Sequence, residues 1–266
     1  MARYPCIHWT YRYRHRRIFP IEGAGDMRRA NKNKYFSKAF QLYTTYWLIK
    51  RSFSGIYIKG NFVEDDTSGL IVSNHSSWWD GIITFYLSQK ISPWQSYAMM
   101  SDEGLNQFPF FNRIGAFSVD TSSAQSVRRS LSYSLELLNA GSAVWIFPQG
   151  AELPLEKRPL TLQPGASFLM NQAPTVPLYI VTYYYSMSHE QKPRLYIHVN
   201  HLKKPDDYEQ LKRFELNTLL ESSMTLQLNQ QRDDVANEST DDYTLMELGY
   251  RSVSDWFSLW SGGKRK

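Results

Sequence analysis

A histidine and an aspartate lie five residues apart in the stretch VSNHSSWWDG, residues 72–81, as His75 and Asp80. A β-rich run precedes them and a helical spacing follows, so we expect His75 in a strand-to-helix turn and Asp80 in the first helical turn. On one unbroken helix, residues five apart would point about 140° apart, but across such a turn the carboxylate can face the imidazole. It would then fix the imidazole tautomer and leave the second ring nitrogen to take a proton from an alcohol.

The same stretch can equally do no more than begin a helix. Ser77, followed three residues later by Asp80, approaches a capping box, in which a hydroxyl and an acid satisfy the free N–H groups of a helix start. In that interpretation His75 has no chemical role. The spacing alone leaves catalysis and capping both open.

No other pattern in the chain indicates a nucleophile, a phosphate loop or a metal. The runs GAGD and QPGAS lack the spacing of a nucleophile elbow or a phosphate-binding loop. The run HVNH stands in a strand pattern without cysteine or carboxylate partners at ligand spacing, so we expect His198 and His201 to be structural. The sequence therefore predicts no metal and no cofactor.

Strand and helix patterns alternate through the middle of the chain. The runs GIYIKGNFV, GLIVSN, SAVWIFP, TVPLYIVTYYY and RLYIHVN favour strands. The run WWDGIITFYLSQ has helical spacing, and SAQSVRRSLSYSLELLNAG is a helix closed by Gly141. This alternation predicts an α/β fold.

The N-terminal arm, residues 1–34, is basic and aromatic. Residues 1–50 carry a formal charge of +9 within a chain of +5, which leaves −4 for the remainder. Arginines interleaved with rings in HWTYRYRHRRIFP suit an anionic membrane surface, although binding of single-stranded nucleic acid and a solvated tail are alternatives. The acidic balance of the rest and the lack of an RNA-binding motif argue against nucleic acid as a partner.

Residues 35–54 form an amphipathic helical pattern, with Phe36, Phe40 and Trp47 among its regularly spaced rings. Packing against the domain is favoured over membrane contact for this stripe. No run approaches the ~18 apolar residues that a spanning helix needs, and no signal peptide is evident. With Cys6 as the single cysteine, we expect a cytoplasmic protein, peripheral on the inner face of a membrane.

The C-terminal part, residues 229–266, is predicted to be a polar loop over 229–242 followed by an amphipathic tail. Residues 206–228 look helical and would close a main domain spanning 55–228. The final run DWFSLWSGGKRK is predicted to be an interfacial patch.

Four blocks of the chain together resemble a known enzyme family. NHSSWWD is similar to the H-x-x-x-x-D block of the glycerolipid acyltransferase superfamily, of the lysophosphatidic acid acyltransferase type. RIGAFSVD at 113–120, WIFPQGAE at 145–152 and TVPLYI at 175–180 resemble the next three blocks, in family order, within residues 55–200. The resemblance favours catalysis over capping for the opening stretch.

This resemblance implies transfer of a fatty acyl group from a thioester, acyl-CoA or acyl carrier protein, to the hydroxyl of a lipid-like acceptor. His75 would be the general base and Asp80 its orienting partner, with no cofactor and a mixed sheet flanked by helices, preceded by an amphipathic N-terminal helical region. Trp78 and Trp79 could line the core or touch the acyl chain, the core being favoured. The substrate-binding residues it implies are Asn74, Gly115, Phe147, Pro148, Gln149, Gly150, Glu152, Lys157, Arg158 and Pro177.

Three positions depart from the family pattern. Gln149 replaces the usual glutamate of the third block, while Glu152 and Thr121 stand where arginines that bind an acceptor phosphate are usual. We therefore expect a lysolipid or glycolipid acceptor in place of a simple glycerol phosphate. Nearby basic residues could restore a phosphate site; they are Arg113, Arg128, Arg129, Lys157 and Arg158.

Two alternative functions remain open on the same fold. One is a lysophosphatidic acid acyltransferase of phospholipid synthesis with a relocated phosphate site. The other is a non-catalytic peripheral membrane protein, against which the intact pair of His75 and Asp80 argues.

Overall fold

The computed structural model describes residues 27–63, 66–187, 189–202 and 211–260. Most of the predicted arm, residues 1–26, therefore lies outside the described residues, as does the end of the predicted tail from residue 261.

Eight strands of the described chain form one mixed sheet in the order β4-β3-β5-β2-β6-β7-β1-β8. Strands β6 and β7, and β1 and β8, pair antiparallel, whereas all other neighbours are parallel. The predicted α/β fold with a mixed sheet and flanking helices is thus confirmed. The strands are β1 Gly55–Lys59, β2 Gly69–Ser73, β3 Ser96–Ser101, β4 Ala116–Val119, β5 Ala143–Ile146, β6 Leu178–Ser186, β7 Arg194–Leu202 and β8 Thr244–Leu248.

The central strands are apolar on both sides because each side of the sheet faces a separate core. In β2 every residue is buried; Leu70 and Val72 point into one core and Ile71 into the other. This is the alternation that a pleated strand imposes, and burial on both faces explains the continuous apolar run GLIV.

Helices cover both faces of the sheet. Leucines of α5, α6 and α7 complete the first core, and residues of α3 and of the segment α1 to α2 complete the second. The helices are α1 Lys34–Tyr43, continued by a π-helix Thr44–Ile49 and one α-turn, α2 Lys50–Ser52; then α3 Trp79–Lys90, α4 Asp102–Gln107, a 3₁₀ helix Pro109–Ile114, α5 Ala124–Asn139, α6 Gly165–Gln172, α7 Arg213–Ala236 and α8 Val253–Trp260. No helix in the described ranges has the length and apolar character required to cross a bilayer.

Some predicted elements are wrong at the C-terminal end. The polar stretch 229–236, predicted as loop, continues α7, and 244–248 adds the edge strand β8 to the sheet. The helix continues because its buried face is polar there: the side chain of Gln231 is fully buried and accepts from the hydroxyl of Thr182 at 2.5 Å. The spacing of apolar residues in the sequence cannot predict a helix whose buried face is polar.

Candidate active site

His75 lies at the carboxyl edge of three adjacent parallel strands. It follows β2 by two residues, Phe147 follows β5 directly, and Tyr185 lies near the end of β6. Because parallel strands end at the same edge of a sheet, the topology alone gathers these three side chains.

Asn74 ties the end of β2 to β6. Its Oδ1 accepts from the backbone N–H of Tyr183 at 2.8 Å, and its Nδ2 donates to the carbonyl of Tyr183 at 3.1 Å and to Ser76 Oγ at 3.3 Å. A side chain thus continues the strand pairing for one residue while the main chain turns out of the sheet. Asn74 was expected to bind substrate; its buried amide instead positions the turn that carries His75.

The imidazole of His75 is bonded to Asp80. Nδ1 of His75 lies 2.9 Å from Oδ2 of Asp80, whose side chain is fully buried, whereas 27% of the His75 side chain is exposed. A carboxylate only accepts, so Nδ1 is the donor, and in a neutral ring Nε2 then carries no proton. The turn therefore supplies a partly exposed nitrogen base with a fixed orientation.

Asp80 is held at both oxygens. Oδ2 also accepts from the backbone N–H groups of Ser76 at 2.6 Å and Ser77 at 2.8 Å, and Oδ1 accepts from the hydroxyl of Tyr185 at 2.6 Å. Four donors offset the cost of burying the carboxylate. Burial and then the charge of Asp80 raise the pKa of Tyr185 well above its ordinary value, so its phenol stays protonated and donates.

The capping and catalytic interpretations of the stretch therefore describe one set of bonds. The carboxylate that satisfies the N–H of Ser77 at the start of α3 is the same one that orients the imidazole of His75. Ser77 contributes the other half of the cap, because its Oγ accepts from the N–H of Trp79 at 3.2 Å.

The turn after β5 holds the other side of His75. The ring of Phe147 stacks on the imidazole with centroids 4.7 Å apart, and Oε1 of the buried Gln149 accepts from the backbone N–H of His75 at 2.6 Å. Gly150 closes this turn at φ +72°, a conformation that favours glycine, and the carbonyl of Pro148 accepts from Gln163 N–H at 2.7 Å. The side-chain amide oxygen of Gln149 thus holds the backbone of His75.

Of the side chains expected to contact an acceptor, some are exposed and some are held by hydrogen bonds to other residues of the chain. Glu152 and Lys157 are exposed in the segment after the turn, which is tied to the site because Leu153 N–H donates to the carbonyl of His75 at 2.9 Å. Arg158 is partly committed: Nη1 donates to the carbonyl of Leu155 at 2.6 Å and Nε to Asn229 Oδ1 of α7 at 3.0 Å, whereas its buried Nη2 has no hydrogen-bond partner among the described residues. Burial lowers the pKa of the Arg158 guanidinium, which serves chiefly to clamp this segment onto α7.

Two expected substrate-binding residues are not brought to His75. Gly115 immediately precedes β4 and Pro177 immediately precedes β6, so both lie at the amino edge of strands that run parallel to β2. Arg113, one of the basic residues near the second block, lies at that edge too, with its guanidinium 5.8 Å from the ring of Phe36. The fourth block thus contributes to the site through β6, which it begins, whereas the second block begins β4, which β3 and β5 separate from β2.

A small cleft lies beneath α3. Gly81 and Phe85 line it from α3, Phe111 and Gly115 from the segment before β4, and Trp145 from the sheet. Gly81 directly follows Asp80 in the chain, but neither His75 nor Asp80 lines this cleft.

The sequence pattern missed Tyr185, the donor to Asp80. A signal for it was present: β6 reads LYIVTYYYS, and in a strand parallel to β2 every second tyrosine faces the same side of the sheet. Tyr183 and Tyr185 are that pair, and the hydroxyl of Tyr183 bonds Thr84 of α3 at 2.9 Å.

The other two singled-out histidines lie on β7. Burial, together with the charge of Lys59, lowers the pKa of His198 to about 4, and the ring of His201 stacks on Tyr179 with centroids 4.7 Å apart. In the part of the chain that the structure describes, no three His, Cys, Asp or Glu side chains form a group able to hold a metal ion.

Comparison with known proteins identifies a family for the central part of the chain. Residues 55–186, from the start of β1 to the end of β6, match the protein-family model described as Acyltransferase. No curated protein matches the chain at a significant level.

Proposed function

We propose that this chain, whose residues 55–186 form a domain of the glycerolipid acyltransferase family, moves a fatty acyl group from a thioester to a lipid hydroxyl with His75 as general base. The family establishes acyl transfer in general; the thioester donor, acyl-CoA or acyl carrier protein, and the acceptor are our proposal. The observation that carries it is the 2.9 Å bond from Nδ1 of His75 to a fully buried Asp80, which leaves Nε2 as the proton acceptor.

The proposed reaction is a single displacement through a tetrahedral intermediate. Nε2 of His75 takes the proton of the acceptor hydroxyl as its oxygen attacks the thioester carbonyl, forming the C–O bond. Asp80 stabilises the imidazolium that results. Collapse of the intermediate breaks the C–S bond, and the thiolate takes the proton back from Nε2, so no acyl-enzyme is formed.

For the acceptor we propose a neutral headgroup, as in a lysolipid or glycolipid. Thr121 and Glu152 offer no positive charge, and Arg158 is held by Leu155 and Asn229. The exposed carboxylate of Glu152 can accept hydrogen bonds from hydroxyl groups. Lys157, five residues after Glu152, is an exposed cation that could bind a phosphate instead.

We also propose that the protein works at a membrane surface, on the cytoplasmic face. The helical segment from α1 to α2 exposes part of its aromatic stripe, with Tyr43 49%, Tyr46 48% and Trp47 57% exposed, while Ile49 is buried in the core. Exposed tyrosine and tryptophan rings favour the headgroup region of a bilayer.

The proposed chemistry is tested by product identification. The purified chain is incubated with labelled acyl-CoA or labelled acyl carrier protein and a total lipid extract. We expect label in an ester-linked lipid, whose headgroup then identifies the acceptor. Label found only as free fatty acid or unreacted thioester with every donor and extract would contradict the proposal.

A further inference from the structure

The last helix, α8, carries an apolar stripe that the described chain does not cover. Val253, Trp256, Phe257 and Trp260 follow each other at spacings of three, one and three, which places them on one side of a helix. They are 61%, 60%, 65% and 93% exposed. Eight residues are too few to cross a bilayer but enough to lie in its surface.

The residue that leads into α8 contacts the N-terminal helical segment. Tyr250, just before α8, donates its backbone N–H to the carbonyl of Lys50 in α2 at 2.6 Å. The ammonium group of Lys50 lies 5.5 Å from the ring of Tyr46 and 5.9 Å from the ring of Tyr250. The two exposed aromatic surfaces therefore meet at Lys50.

Arginines lie over two of these rings, and the acidic Asp255 of α8 accepts from the N–H of Ser252. Arg51 lies over Trp47 at 4.0 Å, and Arg251 lies over Trp256 at 5.3 Å, so each segment pairs an exposed indole with an exposed guanidinium. The carboxylate of Glu247 in this region is neutralised by Lys50 at 2.9 Å. After α8 the sequence continues with three further basic residues at 264–266.

The surface also adjoins the active site. Phe53, which follows α2, has its ring 5.0 Å from that of Trp79 and 6.1 Å from that of Tyr185, the donor to Asp80. Trp78, three residues after His75, is 49% exposed.

We propose that α8 and the segment from Tyr43 to Arg51 form one surface that docks on an anionic lipid bilayer. Tryptophan and tyrosine rings with adjacent arginines match the headgroup layer, where rings settle at the interface and guanidinium groups meet phosphates. A bilayer docked on this surface would lie close to the exposed Trp78, three residues after His75. The inference deepens the proposed function, since it names the source of the lipid acceptor.

The test is sedimentation of the full chain with vesicles of equal parts phosphatidylcholine and phosphatidylserine. Replacing both Trp256→Ser and Trp260→Ser should weaken the partition coefficient by at least about tenfold, because two large apolar side chains lose their contact with lipid. Phe214→Ser is the matched control: Phe214 is 81% exposed on α7, whose core contacts lie on the other face of the sheet, and its loss should leave binding unchanged. Circular dichroism confirms that each variant is folded.

A second variant tests the charge. Arg251→Glu should reduce binding to the anionic vesicles several-fold while leaving binding to pure phosphatidylcholine the same. Unchanged binding of both the double tryptophan variant and Arg251→Glu would overturn the inference, as would a wild-type chain that does not bind vesicles and forms a dimer through α8. The binding measurement uses no substrate, so a wild type that docks but transfers no acyl group would contradict the proposed function alone.

Discussion

The carboxylate of Asp80 connects the turn after β2, the imidazole of His75 and strand β6. Its two oxygens accept from two backbone N–H groups, one ring nitrogen and the phenol of Tyr185. Because Tyr185 is the one donor to Oδ1 within the part of the chain that the structure describes, it fixes the rotation of the carboxylate about its own axis. Tyr185 is therefore a positioning residue, acting on His75 through Asp80.

Tyr185→Phe should lower kcat about tenfold with little change in KM, because one hydrogen bond to a buried charged group is lost away from the substrate. Tyr184→Phe is the control, since it removes the same atom from the neighbouring residue, whose hydroxyl bonds Glu156 at 3.2 Å. Steady-state kinetics and melting temperatures of both variants provide the comparison. Equal losses in the two variants would show that Tyr185 acts only on stability.

The acceptor preference depends on Glu152. Because this side chain is exposed, solvent screens its charge, and we expect the wild type to prefer a lysoglycolipid over lysophosphatidic acid by only about tenfold. Glu152→Arg should raise transfer to lysophosphatidic acid, and Glu152→Gln should lie between the two. A strong wild-type preference for lysophosphatidic acid that disappears in Lys157→Ala would show that the phosphate site has moved to Lys157.

Whether a strand could be predicted from the sequence depends on how fully it is buried in the sheet. The strands β2, β5 and β6 are predictable because they are apolar on both faces, and so is the turn that carries His75. Strands β3 and β8 are not, because SYAMMS and TLMEL are partly exposed and poor in β-branched residues. Tyr185 was not predicted for another reason. Its role depends on the pairing of β6 with β2, and a pattern within one segment of the sequence does not indicate that pairing.

Gly81, the residue after Asp80, lies on α3 and lines the small cleft beneath that helix, and as an extension of the proposed function we expect part of the acyl chain to enter this cleft. A methyl group on Gly81 would lie 3.8 Å from Phe111, an ordinary contact, whereas a larger side chain would enter the cleft. Gly81→Leu should therefore shift the products towards shorter acyl chains, and Gly81→Ala should not. Mass spectrometry of products from a mixture of acyl donors checks this; a uniform loss across all chain lengths would contradict it.

At the scale of the whole molecule, acid should weaken the fold through His198 on β7. Its pKa is lowered to about 4 in the fold, with Lys59 and Asp234 as its charged neighbours, against about 6.5 in an unfolded chain. The unfolded chain thus binds the proton more readily, and stability is lost as the pH falls from about 6.5 towards 4. After allowance for partial exposure of the ring, the loss is on the order of 1 kcal/mol.

His198→Gln should remove this contribution, since glutamine does not titrate. Urea unfolding of wild type and variant at neutral pH and near pH 4.5 measures it, and the wild type should lose more stability between the two conditions. Identical losses in both proteins would show that His198 is protonated as easily in the folded chain as in the unfolded one.

In the proposed function, the mixed sheet with its two cores holds His75 and Asp80 at the carboxyl edge of β2, where His75 carries out one proton transfer. The most direct measurement is the rate of label transfer from an acyl thioester to a lipid hydroxyl by wild type, Asp80→Asn and His75→Ala. We predict a loss of at least about a hundredfold for His75→Ala, as expected when a positioned base is removed, and a smaller loss for Asp80→Asn, with both variants folded. Turnover of folded His75→Ala near the wild-type rate would contradict the account.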